Sequence, residues 1–411
     1  MSFACRCCGA ALTHVFVDLG STPLANDYPD NASVDLPTYP LKVWVCGSCF
    51  LVQLHHDVTP QAIFGDYAYF SSYSTSWLDH ARRFSEQMIG DLHLGKDSLV
   101  IEAASNDGYL LRNFSEHGIP SLGIEPAANV AAAARGIGVP TEVMFLGRDT
   151  AARLKAEGKQ ADLVVANNVI AHVPDLNDFI AGLAILLKPT GLLSIECPHL
   201  LRLIETSAFD TIYHEHFSYL SLLALRAALA RHGLKVIAVQ ELPTHGGSLR
   251  ILATHGDYQP DDTLTGAYDM TKVDADERAA GLDSIDGYRG FATKVDAIRQ
   301  QLRAFVDVAK QGGKRIAAYG AAAKGNTLLN VCGLTAADID FVVDRNPAKQ
   351  NRVLPGSKIP VFDPEKIRTE KPDYVLILPW NLADEIRQQL AFIHDWGGQF
   401  VAAIPIVGIS G

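Results

Sequence analysis

The run Thr211-Ile212-Tyr213-His214-Glu215-His216 sets a phenol, two imidazoles and a carboxylate at four consecutive positions between apolar flanks. These side chains offer a base that titrates near neutral pH, an acid able to orient it and a hydroxyl donor. An extended segment would point Tyr213 and Glu215 to one side and His214 and His216 to the other, whereas a tight turn could converge them. Catalysis, a metal pair and a polar surface loop are all compatible with these residues alone.

A second concentration of chemistry lies near the amino end. Five of the seven cysteines fall within the first fifty residues, in Cys5-Arg6-Cys7-Cys8-Gly9 and Cys46-Gly47-Ser48-Cys49. Two Cys-x-x-Cys pairs can close a tetrahedral thiolate shell around zinc, and a closed shell is structural because no position stays open for substrate. The ligands read as Cys5, Cys8, Cys46 and Cys49, with Cys7 left over; a redox pair is the rival reading. Pro23, Pro29, Pro37 and Pro40 mark the intervening chain as a loop-rich module too small to stand without the metal.

At 411 residues, with 48% hydrophobic and 20% charged side chains, the chain exceeds what one core supports and is expected to form two or three globular domains. A net charge of -11 argues against nucleic acid or an anionic membrane as a general partner, because a non-specific grip on phosphates needs a basic surface. The start Met1-Ser2-Phe3-Ala4-Cys5 lacks a charged segment followed by an apolar run, and no stretch is long and apolar enough to span a bilayer. A cytoplasmic protein is expected.

The elements that must position these groups alternate between strand and helix from Ser98 onward. Leu99 to Glu102 reads as a buried strand, Ala103 to Gly108 as the loop behind it, and Tyr109 to Phe114 as the opening of a helix. A second strand, Ser121 to Ile124, ends in Glu125, an acid placed to accept hydrogen bonds from ribose hydroxyls. A dinucleotide would want Gly-x-Gly-x-x-Gly, and only Gly108 stands at such a position, so S-adenosylmethionine, which carries no phosphate, fits better. A strand from Ala161 to Ala166 delivers Asn167, Asn168 and His172 to the same cleft. Later strands are expected over Gly191 to Glu196, Lys235 to Gln240 and Leu249 to Ala253, the last two as an antiparallel pair around the turn Thr244 to Ser248. Before this sheet, Tyr67 to Ser74 is an aromatic, hydroxyl-rich connector, read as packing or as a lid over a ligand, that leads into a helix through Trp77, His80, Ala81, Phe84 and Met88.

Asp257 to Gly290 is acidic and glycine-dotted and reads as a linker with loose helical content. Val295, Ile298, Leu302, Phe305 and Val306 then have helical spacing and lead into a further α/β domain. There the strand Arg315 to Tyr319 is followed by Gly320 to Asn326, a glycine-framed loop with a lysine at a helix start that suits a phosphate. Strands Phe341 to Val343 and Tyr374 to Leu378 end in the polar turns Asp344 to Pro347 and Pro379 to Asn381.

Across essentially its whole length the chain resembles the S-adenosylmethionine-dependent C-methyltransferases of deoxysugar biosynthesis, which act at C3 of nucleotide-linked 4-keto-6-deoxy sugars. The resemblance is carried by the cysteine pairs, Glu102 to Gly108, Asn167 to Asp175, Phe209 to Tyr219, Thr244 to Ser248, Tyr319 to Asn330, Asp344 to Lys349 and Leu378 to Ala383. It implies a class I methyltransferase Rossmann-like sheet flanked by a small N-terminal zinc-binding module and a C-terminal Rossmann-like α/β domain. The expected boundaries are 1–66 for the zinc module, 67–256 for the methyltransferase domain, 257–294 for the linker and 295–411 for the domain that contacts the nucleotide sugar.

The resemblance further implies His216 as general base with Tyr213, Glu215 and His214 beside it. S-adenosylmethionine is expected on Glu102, Ala104, Asn106, Gly108, Glu125, Asn167, Asn168 and His172, and structural zinc on the four cysteines. The nucleotide-sugar substrate, dTDP-linked, is expected on Tyr73, His245, Lys324, Asn326, Asp344, Asn346 and Asn381. A monomer or weak homo-oligomer is expected. Two departures stand out: the family carries glycine where this chain has Ala104, and glycine where it has Asn351, although asparagine tolerates left-handed backbone. A methyltransferase for another acceptor, and a cofactor-binding protein that has lost turnover, are the competing readings.

Overall fold

The run of strands and helices that opens at Val100 forms a seven-stranded sheet in a computed structural model that describes residues 3–55, 71–260 and 270–410. The strands are β1 (Val100–Ala103), β2 (Ser121–Ile124), β3 (Thr141–Glu142), β4 (Ala161–Asn167), β5 (Leu187–Pro198), β6 (Leu234–Leu242) and β7 (Ser248–His255). Their order is β6-β7-β5-β4-β1-β2-β3, parallel from β5 to β3, with β7 antiparallel to both of its neighbours. Helices on both faces explain why β4 reads as an unbroken apolar run, with Leu163 to Ala166 fully buried. Strand order reverses at β1 and β4, which opens a crevice at their carboxyl ends. The loop after β1, Glu125 after β2 and Asn167 to His172 at the end of β4 all sit on this edge. Gly123 is required there, because a Cβ would meet the Ser105 Oγ at 2.3 Å.

The chain makes two compact units that do not follow sequence order. Met1–Thr13, Val45–Leu200 and Phe217–Gly287 form the first, and His14–Trp44, Leu201–His216 and Tyr288–Gly411 the second. The first therefore contains both cysteine pairs together with the large sheet. Of the aromatic connector, Tyr67 to Phe70 lie outside the described residues. Ser71–Tyr73 form one 3-10 turn, and the Ser74 Oγ accepts from Trp77 N at 3.3 Å to cap helix Thr75–Asp91, whose buried face includes Ala81, Phe84 and Met88.

Part of the stretch expected as linker belongs to the first unit's core. Helix Met270–Ala279 buries Glu277, whose carboxylate accepts from Leu222 N (2.6 Å) and Leu223 N (2.9 Å) at the start of helix Leu222–Ala230 and from His199 Nε2 (2.8 Å). An acid that satisfies two unpaired helix amides and a buried imidazole outweighs the weak local helix signal.

In the second unit, helix Phe291–Gln311 buries Val295, Ile298, Leu302 and Val306, as their spacing predicts, while Phe291 stacks on Phe16 at 4.5 Å between centroids. A second sheet follows: β8 (Ile316–Tyr319), β9 (Phe341–Val343), β10 (Val361–Phe362), β11 (Tyr374–Ile377), β12 (Gln399–Ala402) and β13 (Gly408–Ser410), in the order β10-β9-β8-β11-β12-β13. All its pairs are parallel except β12 with β13. The three polar turns expected after β8, β9 and β11 share its carboxyl edge. Gly320, at φ 95°, leaves room for Pro379, which a Cβ would approach to 2.5 Å. Among the described residues no helix is long and apolar enough to cross a membrane.

Glu277→Ala should lower the unfolding free energy by about 3 kcal/mol, measured by urea titration, because it strands a buried histidine and two helix amides at once.

Candidate functional site

The histidine-rich run is a turn. His216 N donates to Tyr213 O at 2.9 Å, and this closure converges some of the four side chains and separates others. His216 Nδ1 lies 2.7 Å from the Thr211 carbonyl, which can only accept, so Nδ1 carries the proton and the neutral ring leaves its lone pair on Nε2. The Tyr213 hydroxyl stands 2.9 Å from that Nε2 and donates to it. Both side chains are half-buried. The arrangement is an imidazole with a fixed tautomer and a phenol on its lone pair.

The other two members face elsewhere. His214 is buried, and its Nε2 lies 3.2 Å and 3.3 Å from the carbonyls of Tyr39 and Pro40, so it anchors the turn to the strand Tyr39–Val45 rather than lining the base. Glu215 is also buried and accepts from Asn26 Nδ2 at 2.5 Å. Burial pushes its carboxyl up to about 7, against the pull of Asn26 and of the Lys349 ammonium. Lys349, whose own charge burial disfavours, donates to Ala321 O at 2.6 Å and lies over the Tyr28 ring. Tyr28 in turn donates to the same carbonyl at 2.6 Å.

Around the second sheet, Asp344 accepts from Ala321 N (2.7 Å) and Asn346 N (2.8 Å), which shapes the loops after β8 and β9. The Lys324 Nζ lies 3.4 Å from Asn381 Oδ1 and over the Trp380 ring, whose Nε1 donates to Asp210 at 2.8 Å. Burial pushes the Asp210 carboxyl up to about 6 and disfavours the Lys324 charge, and the two offset each other. The Asn326 amide is turned into packing through its nitrogen, while its Oδ1 is buried with no hydrogen-bond partner among the described residues. The residue is 1% exposed, and its nitrogen is engaged by Ala25 O (2.6 Å) and Tyr28 OH (3.2 Å). Asn26, Tyr28, Asp210 and Lys349 are the members of this neighbourhood that sequence reasoning missed. Only their meeting with Glu215 and Lys324 identifies them.

At the carboxyl edge of the first sheet, Glu125 accepts from Asn106 N (3.0 Å) and Ala127 N (2.9 Å), while Asn106 and Asp107 accept from the backbone of Ser71 (2.9 Å) and Ser72 (3.1 Å). Ala104, Asn106 and Gly108 all have positive φ, at 55°, 50° and 79°, and so does Asn168 at 52°. Glu102 Oε2, Asn167 Oδ1 and both side-chain polar atoms of Asn168 are buried with no hydrogen-bond partner among the described residues. Burial of this kind without a partner is costly, and a bound polar ligand would relieve it. The residues present therefore fit S-adenosylmethionine, which these atoms and Glu125 would hold. His172 lies in the turn Ile170–His172 on the same edge.

Of the predicted substrate contacts in this unit, Tyr73 is 77% exposed and His245, at φ 58°, meets the Trp77 ring edge-on. Sequence reasoning also missed Glu196, which is fully buried at the end of β5 and accepts from Arg250 (2.6 Å) and His80 (2.9 Å).

The four predicted cysteine ligands converge. Their sulfurs all lie within 4.8 Å of one another, with Cys5 to Cys49 and Cys8 to Cys46 at 3.5 Å. Sulfurs about 2.3 Å from a tetrahedral zinc stand about 3.8 Å apart, so the donor set fits a closed structural site. Cys49 and the Gln53 amide hold the Cys5 thiol down to about 4 against its burial.

Three family profiles match consecutive stretches of the chain: a domain described as zinc binding over residues 5–64, a methyltransferase domain over 75–239 and a C-methyltransferase C-terminal domain over 243–405. The C-methyltransferase NovU of Streptomyces niveus is 36% identical over 404 residues, 98% of this chain and 95% of that protein. A ubiquinone biosynthesis O-methyltransferase of Rhodopseudomonas palustris (strain BisA53) is 31% identical over 96 residues, 23% of this chain and 38% of that one. Among solved structures, an S-adenosylmethionine-dependent methyltransferase from Mesorhizobium loti covers 43% of this chain and 99% of its own at a TM-score of 0.34 and 14% identity.

Left-handed backbone penalises a Cβ, so Ala104→Gly should raise stability by about 1 kcal/mol in thermal or urea unfolding. Because Glu215 binds its proton more tightly folded than unfolded, its contribution to stability falls as pH rises from about 4.5 to about 7 and is constant above that. Glu215→Gln should flatten this part of the urea-midpoint profile, by about 3 kcal/mol over the window.

Proposed function

This chain belongs to the S-adenosylmethionine-dependent C-methyltransferases, and we propose that its substrate is a dTDP-linked 4-keto-6-deoxy sugar, methylated at C3. The observation that carries this reading is the His216 imidazole, with its proton fixed on Nδ1 by Thr211 O and its Nε2 lone pair next to the Tyr213 hydroxyl. A carbon acceptor, unlike a hydroxyl or an amine, must lose a C–H proton before it becomes a nucleophile, and a ketone one carbon away makes that proton removable.

His216 Nε2 takes the C3 proton, and the C–H electron pair passes into an enolate with its charge on the C4 oxygen. Substrate displaces the Tyr213 hydroxyl from Nε2, which leaves that phenol as a donor to the developing oxyanion, a contribution on the order of 3 kcal/mol. Thr211 O holds the imidazolium proton on Nδ1 throughout and so stabilises the charged ring. His214, engaged with backbone carbonyls, keeps the turn closed and takes no proton. Glu215 is buried against Asn26 and supports the turn from its other side. S-adenosylmethionine, held by Glu102, Asn167, Asn168 and Glu125, would supply an electrophilic methyl group on its sulfonium, the S–CH3 bond breaking to leave the neutral thioether as C3 of the enolate forms the new C–C bond. Lys324, at the start of helix Ala323–Val331, provides the positive charge for the diphosphate, with Asn381, Asp344 and Asn346 on the neighbouring turns.

In deuterated buffer with a dTDP-4-keto-6-deoxy sugar, the wild type should exchange deuterium into C3 or methylate it, with a new methyl singlet on a quaternary carbon by NMR. His216→Asn should lose at least about 10²-fold in both exchange and methylation, in keeping with the loss of a general base. Full exchange in that variant would remove His216 from this role.

A further inference from the structure

The zinc module touches the catalytic turn's exit through backbone. Phe217, one peptide bond after His216, donates its N–H to Ala171 O at 2.7 Å and accepts at its carbonyl from Leu54 N at 3.0 Å. Ala171 neighbours His172 at the end of β4, and Leu54 closes the strand Val52–Leu54 that leaves the second cysteine pair. Ser218 and Tyr219 then pair antiparallel with Gln53 and Val52. The Arg6 guanidinium, from the first pair, lies 5.5 Å over the Phe217 ring.

Gln53 joins that strand to the metal ligands. It is 1% exposed, its Nε2 donates to Cys5 Sγ at 3.1 Å and its Oε1 accepts from Arg6 N at 2.9 Å. The side chain of one residue thus orients a thiolate of the first pair, while its backbone lies in register with Ser218. The first pair is held as well: Asn177 Nδ2 donates to the carbonyls of Arg6 (2.7 Å) and Cys7 (3.0 Å), and Asn177 opens the helix that follows the Asn167 to Asp175 loop.

From these contacts we infer that the four-cysteine centre, through Gln53, is a positioning device for the exit of the catalytic turn: zinc fixes the strand Val52–Leu54, and that strand fixes Phe217, the residue joined to His216 by a peptide bond. The inference rests on His216 being the base, as proposed above. Without the metal, the two cysteine pairs lose their link and Gln53 loses the fixed thiolate that orients it, which leaves the buried strand Val52–Leu54 to its sheet pairing and the Arg6 contact alone. The Phe217 to Tyr219 segment then pairs with a less firmly held strand on one side while Ala171 holds the other. Gln53 acts through the thiolate and the strand and touches no substrate, so it is a positioning residue.

Gln53→Met keeps the length of the side chain and removes its donor to Cys5. In the full-length, zinc-loaded protein it should speed zinc release to a chromogenic chelator by about tenfold, in line with other residues that support metal ligands. Amide exchange at Phe217 and Ser218 should quicken, while protection of Leu163 to Val165 in β4 stays at the wild-type level, which shows that the sheet remains folded. The kcat should fall about tenfold with the KM for S-adenosylmethionine within about twofold. Chelating zinc from the wild type should reproduce the amide pattern, and restoring zinc should reverse it. If chelation leaves exchange at Phe217 and Ser218 unchanged, or if those amides loosen while kcat holds, the inference is wrong. His216→Asn should leave zinc release and amide exchange as in the wild type. Deuterium wash-in by that variant therefore tests the base itself, and the two failures are told apart.

Discussion

A single hydrogen bond, from His216 Nδ1 to the Thr211 carbonyl five residues earlier, sets the chemistry of the turn Thr211 to His216. A carbonyl cannot donate, so the bond fixes the tautomer and leaves the ring's lone pair on Nε2. The turn must close for the bond to form, and it closes because Tyr213 O accepts from His216 N. Everything else around the run serves that closure. His214 is tied to the carbonyls of Tyr39 and Pro40, Glu215 is buried on Asn26, and Phe217 is held by Ala171 and Leu54.

Both units join some buried polar groups and leave others without a partner. In the second unit Lys324 and Asp210 share a Trp380 platform, and Lys349, Tyr28 and Asp344 converge on the Ala321 peptide, while Asp210 Oδ1 and Asn326 Oδ1 have no hydrogen-bond partner among the described residues. On the carboxyl edge of the first sheet, Glu102, Asn167 and Asn168 keep buried polar atoms that no described residue satisfies. Unpartnered buried atoms of this kind cost stability, and a bound polar ligand would relieve that cost. The left-handed Ala104 on the same edge shows the backbone strain such a loop tolerates, where glycine would carry none. Asn351, the other position where a side chain replaces glycine, has φ 63° and suffers less, because asparagine adopts this region readily.

Much of the architecture was legible because it depends on local pattern. Central strands buried on both faces announce themselves as apolar runs, and β2 and β9 lie where the sequence puts them. The strands at or next to the sheet edges, β3, β10, β12 and β13, carry two to four residues each and leave no such signature. Helix Met270–Ala279 was hidden for a different reason. Its decisive residue, Glu277, stabilises it by capping another helix some fifty residues away, a gain that no local propensity registers.

The sequence by itself determined the chemical inventory: four cysteines in two pairs, a polar loop after a first strand, imidazoles with a carboxylate and a phenol beside them, and a lysine at a helix start. Spacing along the chain suffices there, since each cysteine pair and each strand-end loop is built from near neighbours. Only the tertiary structure decided which members of Tyr213 to His216 act together. It paired Tyr213 with His216, gave His214 to the backbone and Glu215 to Asn26, and withdrew Asn326 into packing with Ala25 and Tyr28. The physical reason is that a hydrogen bond depends on distance and direction in space. In a turn, adjacent side chains diverge toward partners contributed by chain up to 189 residues away.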